Sequence, residues 1–235
     1  MTTGIEVHNV GKSFTLHAQG GVRLSVMDGA SLAVAGGECV ALTGESGAGK
    51  STLMRMIYGN YTTERGSILI RGTTSALDVA SAEPHEILEM RRATLGYVTQ
   101  FLRVIPRVAT LDVVAEPLVD TGTSLEMARE SARALLTRLR IREALWELSP
   151  LTFSGGEQQR VNIARGFAYA YPCLLLDEPT ASLDGVNKET VLTMIEEAKA
   201  RGTAVLGIFH DPAVRERLCE REIDVRSFAP QIEAA

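Results

Sequence analysis

Several stretches of this 235-residue chain carry residue types that could bind phosphate or move a proton. Gly44-Glu45-Ser46-Gly47-Ala48-Gly49-Lys50-Ser51 fits GxxxxGK[ST] and lies between a strand candidate and a helix candidate. Glycines let such a loop curl so that successive backbone N–H groups point inward, and the following helix N-terminus adds positive potential. Lys50 has the reach for β- and γ-phosphates, and the Ser51 hydroxyl suits one position on Mg²⁺. At average composition this pattern arises by chance somewhere in such a chain on the order of 1% of the time. Leu174-Leu175-Leu176-Asp177-Glu178 is a buried-strand pattern that delivers two carboxylates at its C-terminal end, where open α/β sheets bind ligands. Asp177 is placed to hold a metal ion, and Glu178 to polarise a water as general base. Ser154-Gly155-Gly156-Glu157 reads as an S-x-x-E capping box. Capping does not explain its two glycines, which lower helix propensity and let backbone N–H groups approach an anion.

The elements that must position these residues follow from hydropathy. Short apolar runs at Ile5–Val7, Leu24–Val26, Leu32–Val34, Cys39–Leu42 and Ile68–Ile70, separated by glycines, predict strands and turns. A helix is expected from Lys50 to Tyr58, ending at Gly59-Asn60. Residues 72–90 are polar, contain Pro84 and predict a surface excursion with a short helix. Leu111–Leu148 is helical in pattern, with Ser124–Leu139 rich in Ala, Leu, Arg and Glu. Cys173–Leu176, Ala204–Phe209 and Ile223–Val225 are strand candidates with helices between them, which predicts a parallel sheet covered by helices. The helical stretch 101–152 interrupts that alternation as an insert.

Composition narrows the function classes. Lys plus Arg total 24 against 29 acidic residues, a net charge of -5 with no basic block, which argues against a nucleic-acid coat or a polybasic membrane anchor. No apolar run reaches the ~20 residues of a membrane helix, and the first ten residues lack a secretory-signal pattern. Cys39, Cys173 and Cys219 form no CxxC pair; Cys39 and Cys173 read as small buried hydrophobes in a reducing cytoplasm. His8, His17 and His85 show no metal-ligand spacing, and Trp146 reads as packing.

Taken in order along nearly the whole chain, these motifs resemble the ATP-binding-cassette (ABC) ATPases. The resemblance implies a RecA-like P-loop NTPase fold in one α/β domain over 1–235: a mostly parallel core sheet with an N-terminal antiparallel β subdomain (1–100 and 153–235) and an inserted α-helical subdomain (101–152). It implies ATP and Mg²⁺ as ligands. ATP would lie on Gly44, Glu45, Ser46, Gly47, Ala48, Gly49, Lys50, Ser51 and Thr52, with Phe14 stacked on adenine. Mg²⁺ would be held by Ser51, Gln100 and Asp177. Glu178, His210 and Gln100 would be the catalytic residues, His210 contacting the γ-phosphate. The family's arrangement is a head-to-tail dimer, with itself or a related ABC subunit, in which Ser154, Gly155, Gly156, Glu157 and Asp184 complete the partner's site. Within the family, Gln100–Leu111, Leu145–Leu148, Thr152–Phe167 and Gly207–Asp211 resemble the ABC-type protein of the bacterial carbon–phosphorus lyase system for phosphonate use. That implies a cytoplasmic ATPase with soluble carbon–phosphorus lyase core subunits as partners, tied to synthesis of ribose 1-methylphosphonate 5-triphosphate and driving docking or remodelling. The other expectation is the ATPase subunit of an exporter or lipoprotein-releasing transporter. Nucleic-acid repair or translation members of the family predict tandem cassettes or basic arms, and neither pattern is present in these residues.

Overall fold

The computed structural model describes residues 4–16 and 20–230; His17 lies outside the described residues. Two sheets carry the architecture. The first is antiparallel, ordered β2-β1-β4-β5, from β1 (Gly4–Leu16), β2 (Val22–Ala35), β4 (Arg65–Arg71) and β5 (Ala76–Asp78). The second is parallel, ordered β6-β7-β8-β3-β9, from β6 (Leu95–Val98), β7 (Cys173–Asp177), β8 (Ala204–Ile208), β3 (Cys39–Thr43) and β9 (Arg221–Asp224). Every residue of β7 and β8 is buried, which is why both read as unbroken apolar runs.

The expected short strands Leu24–Val26 and Leu32–Val34 are one strand. Gly29, at φ 69, sits inside β2, and Asn9, at φ 50, sits inside β1. The pairing register shifts between Val7 and Val10, so these positive-φ residues build bulges that bend a long ribbon rather than turns that end it. Two strands stop a residue early: β8 ends at Ile208 instead of Phe209, and β9 at Asp224 instead of Val225, where a 3-10 turn over Val225–Phe228 begins.

Helices α1 (Lys50–Ile57), α5 (Gly155–Ala168), α6 (Gly185–Ala200) and α7 (Pro212–Leu218) each follow a strand or a site loop. Helix α2 (Pro84–Ala93) carries a capping box from Glu83 and Glu86. Between β6 and α5 lie α3 (Thr110–Asp120), α4 (Leu125–Arg138) and two 3-10 turns. One core cluster joins these helices to the sheet through Leu111, Val114, Ala132, Leu136, Val161 and Leu176. The other, with Ile5, Val7, Leu53, Met54, Ile68 and Leu206, lies between the two sheets and α1. Trp146 packs against the first cluster and donates its indole N–H to the Ile141 carbonyl at 3.0 Å, in line with the packing role read from sequence.

Candidate functional site

The loop Gly44–Gly49 leaves the C-terminal end of β3 and enters α1. Gly44, Gly47 and Gly49 take φ of 126, 83 and 100, a region that L-residues avoid. At Gly44 a Cβ would also lie 3.1 Å from Val225 Cγ2. The Lys50 ammonium is buried and donates to the Gly44 and Glu45 carbonyls at 2.7 and 2.8 Å, holding the loop in a curl around its own side chain. Helix α1 has no side-chain N-cap and no acidic residue in its first turn, so its N-terminal potential is left uncompensated. Glu45, Ser46 and Gly47 form the exposed crest, with Ser51 and Thr52 half-buried beneath. Phe14 is half-buried on β1, edge-on to Tyr61 at 5.3 Å, with Lys12 Nζ 5.0 Å from its ring centre.

Asp177 closes β7 as a buried carboxylate. Burial pushes its pKa up, against the Tyr97 and Ser51 hydroxyls that hydrogen-bond it, and the neighbouring Glu178 charge adds to the rise. The Tyr97 hydroxyl donates to Asp177 Oδ2 at 3.3 Å. Ser51, Gln100 and Asp177 line one cleft of about 280 Å³. A hydroxyl, an amide and a desolvated carboxylate form a hard-oxygen donor set that fits Mg²⁺, and Arg55, Arg103 and Arg165 on the same wall suit an anionic phosphate.

Glu178 stands at φ 53, a strained setting for a residue with a Cβ. Its amide donates to the Ile208 carbonyl at 3.1 Å, fixing the turn to β8, and its Oε1 lies 2.7 Å from His210 Nε2. The next residue, Asp211, caps α7 by accepting from the Ala213 amide and is paired with Lys188 of α6, which anchors the backbone just after His210. Two residues that spacing does not single out hold the backbone beside Glu178 and beside Gln100. Buried Gln159 donates to the Pro179 carbonyl at 3.2 Å behind Glu178, and buried Asn162 donates to the Thr99 carbonyl at 2.6 Å, next to Gln100. Both lie one helical turn or more past the Ser154 cap, on the helix face toward the sheet. Their signal is a polar residue at a core position of α5.

The Ser154 box forms as read: Ser154 Oγ accepts from the Glu157 amide, and Glu157 Oε2 accepts from the Ser154 N–H and hydroxyl at 3.1 and 2.7 Å. Those donors hold the Glu157 carboxyl below its ordinary range. Gly156 faces the Ser182 carbonyl, and Asp184 caps α6 by accepting from the Asn187 amide at 2.9 Å. Among the described residues, no hydrogen bond joins Ser154–Glu157 to the phosphate loop. One chain therefore brings together the loop, Gln100, Asp177, Glu178 and His210, and places the glycine-bearing helix start beside Asp184 instead.

A sequence profile described as "ABC transporter" matches residues 27–181. This chain belongs to the ABC transporter ATPase family. It is 34% identical over 215 residues to the lipoprotein-releasing system ATP-binding protein LolD of Xanthomonas campestris pv. campestris (strain 8004), covering 91% of this chain and 87% of that protein. It is 35% identical over 239 residues to the macrolide export ATP-binding/permease protein MacB of Chromobacterium violaceum, covering 99% of this chain but 36% of MacB. The chain thus spans about a third of the macrolide-export relatives it matches. Among solved structures, the dimeric ATP-binding cassette MJ0796 in a post-hydrolysis state with ADP and Pi superposes with a TM-score of 0.84 at 27% identity, covering 94% of this chain and 95% of that one. The mixed α/β fold, with its parallel and antiparallel sheets, is that of an ABC ATPase cassette.

Proposed function

We propose that this chain hydrolyses Mg-ATP as a head-to-tail dimer and uses the closure to remodel a protein partner at the cytoplasmic face of a membrane. The observation that carries the chemistry is the Glu178–His210 contact at the end of β7, beside a cleft that holds Ser51, Gln100 and Asp177. The phosphate loop and Lys50 bind the β- and γ-phosphates, and Phe14 offers a ring face to adenine. Mg²⁺, held by Ser51, Gln100 and Asp177, would neutralise charge on the phosphate oxygens. Glu178 accepts the proton of the attacking water, and His210 fixes the carboxylate and reaches toward the γ-phosphate. Ser154, Gly155, Gly156, Glu157 and Asp184 serve the partner's nucleotide. Their separation from the phosphate loop within one chain and the dimeric cassettes among the structural relatives support that assignment.

The partner sits on the helical insert, where a groove of about 540 Å³ is lined by half-buried Val104 and Val108, exposed Ile105, and the charged residues Arg103, Glu116 and Arg129. The relatives in macrolide export and lipoprotein release support a membrane subunit of that kind as its occupant. No helix of the described residues is long and apolar enough to cross a membrane, so any membrane-spanning part would come from elsewhere. A second reading rests on one specific observation, the residue wording of 100–111, 145–148, 152–167 and 207–211, which resembles the ABC-type protein of the carbon–phosphorus lyase system. On that reading ATP hydrolysis drives docking of soluble subunits, and other chains break the N-glycosidic bond of ATP, since no residue of this site is placed to attack it.

Tagged Glu178→Gln protein, loaded with Mg-ATP and drawn from phosphate-starved cells of the source organism, separates the two. Recovery of an integral membrane protein only after detergent is the expected result. Recovery of soluble carbon–phosphorus lyase subunits without detergent overturns the membrane partner in favour of the second reading.

A further inference from the structure

Two cysteines 180 positions apart in sequence meet in the fold. Cys39 opens β3, and Cys219 closes α7 two residues before β9 begins at Arg221. Parallel pairing of β3 with β9 sets Val40 beside Arg221, so the two cysteines arrive at the same end of neighbouring strands. Their sulfurs are 3.4 Å apart. The backbone on either side is fixed: the Glu220 amide donates to the Cys39 carbonyl at 3.0 Å, and the Cys39 amide donates to Glu220 Oε2 at 2.8 Å. A disulfide needs the sulfurs to close from 3.4 Å to about 2.05 Å.

The two thiols are unequal. Cys39 is fully buried and Cys219 is half-buried. The groups facing Cys219 are Lys199 from α6 and Glu220 and Glu222 from the β9 segment; the Lys199 ammonium is tied to the Leu218 carbonyl and to Glu220. The hydrogen bond from Cys39 and the Lys199 charge hold the Cys219 thiol below its ordinary value, while the hydrogen bond to Cys219 and burial push Cys39 up. A partly exposed, cation-flanked thiol beside a buried one is the arrangement of an attacking and a resolving cysteine. The third cysteine, Cys173, is buried, hydrogen-bonded to the Gly4 carbonyl and pushed up to about 12, which leaves it inert.

We propose that Cys39 and Cys219 form a reversible, peroxide-sensitive thiol pair in which Cys219 reacts and Cys39 resolves. The Cys219 sulfur attacks hydrogen peroxide; an S–O bond forms, the O–O bond breaks, and hydroxide leaves as water with the proton of the thiol. Cys39 then loses its proton and attacks that sulfur; an S–S bond forms, the S–O bond breaks, and a second water leaves. A small dithiol reverses the oxidation by exchange.

The test is peroxide titration of the full-length protein, followed by alkylation of free thiols, intact mass and a non-reducing peptide map. The expected result is a loss of two hydrogens, a fall in alkylatable thiols from three to one, and a linked pair of peptides carrying Cys39 and Cys219, all reversed by dithiothreitol. In folded Cys39→Ser protein, Cys219 accumulates as a sulfenic acid trapped by dimedone. Consumption of Cys173 at the same rate, linkage between chains only, or direct passage of Cys219 to sulfinic acid in the unmutated protein overturns the proposal whether or not the variant folds.

Discussion

Each site residue holds its place against a local cost, and that makes its role separable. Glu178 occupies a left-handed backbone position that costs on the order of 1 kcal/mol in a residue with a Cβ. Its side chain is thereby turned to His210 rather than back along β7. Glu178→Gln keeps the shape and the hydrogen bond to the imidazole but removes the basic oxygen. Steady-state hydrolysis is expected to fall by about 10²–10⁴-fold, with ATP affinity kept; turnover near normal would mean the proton goes elsewhere. Asp177 bears a different cost. Burial raises its pKa, so in the nucleotide-free protein the ionised form destabilises the fold at neutral pH, and this penalty fades as the pH falls through the carboxylate range and the group protonates. Asp177→Asn is therefore expected to raise Tm at pH 7.5 while abolishing hydrolysis, with the gain shrinking toward pH 4. A Tm equal to or below that of the unmutated protein at pH 7.5 would show that the carboxylate is better solvated than its burial implies.

At the scale of elements, α5 couples the helical insert to the sheet by close approach. A Cβ on Gly166 would lie 2.3 Å from Val98 Cγ2, a stiff β-branched neighbour on β6. Gly166→Ala should destabilise by about 1–3 kcal/mol, typical of overpacking, readable as a lower denaturation midpoint at unchanged m-value. Because β6 leads into Gln100, the same change should lower kcat more than it raises KM for ATP. The elements were legible to unequal degrees. The phosphate loop, β7, β8, α4 and the Ser154 cap were visible because each writes its own chemistry or hydropathy in consecutive residues. Strand β6, with four residues and a glycine, carries too little pattern of its own and is a strand only because β7 pairs with it. Strand β2 reads as two strands because a bulge glycine such as Gly29 and a turn glycine look alike in sequence, and β1 reads only as its apolar start, Ile5–Val7. Tyr97, Gln159 and Asn162 were missed for a related reason: their work depends on which residue lies across a sheet or a helix interface, and spacing along the chain does not encode that.

At the scale of the whole molecule, the decisive feature is a mismatch inside one chain. The α5 start has a capping box, a glycine pair and an N-terminal dipole suited to an anion, yet among the described residues no hydrogen bond joins it to the chain's own phosphate loop. Gly155 is the sharpest probe of where that helix start points, because a Cβ there would meet nothing within 4 Å. Gly155→Asp therefore adds a side chain without an internal clash. In the isolated chain a carboxylate in the first helical turn is neutral to slightly stabilising, by about 0.3–1 kcal/mol. Facing a partner's triphosphate, the same carboxylate repels it. The expected outcome is measured in the Glu178→Gln background by light scattering after gel filtration. Glu178→Gln alone should pass from the 25.4 kDa monomer to twice that mass on adding Mg-ATP. Glu178→Gln with Gly155→Asp should stay monomeric, with Tm unchanged or slightly raised and unchanged nucleotide affinity of the single chain. A dimer that still forms would remove the α5 start from the interface, and a loss of affinity in the monomer would mean that it serves the site of its own chain.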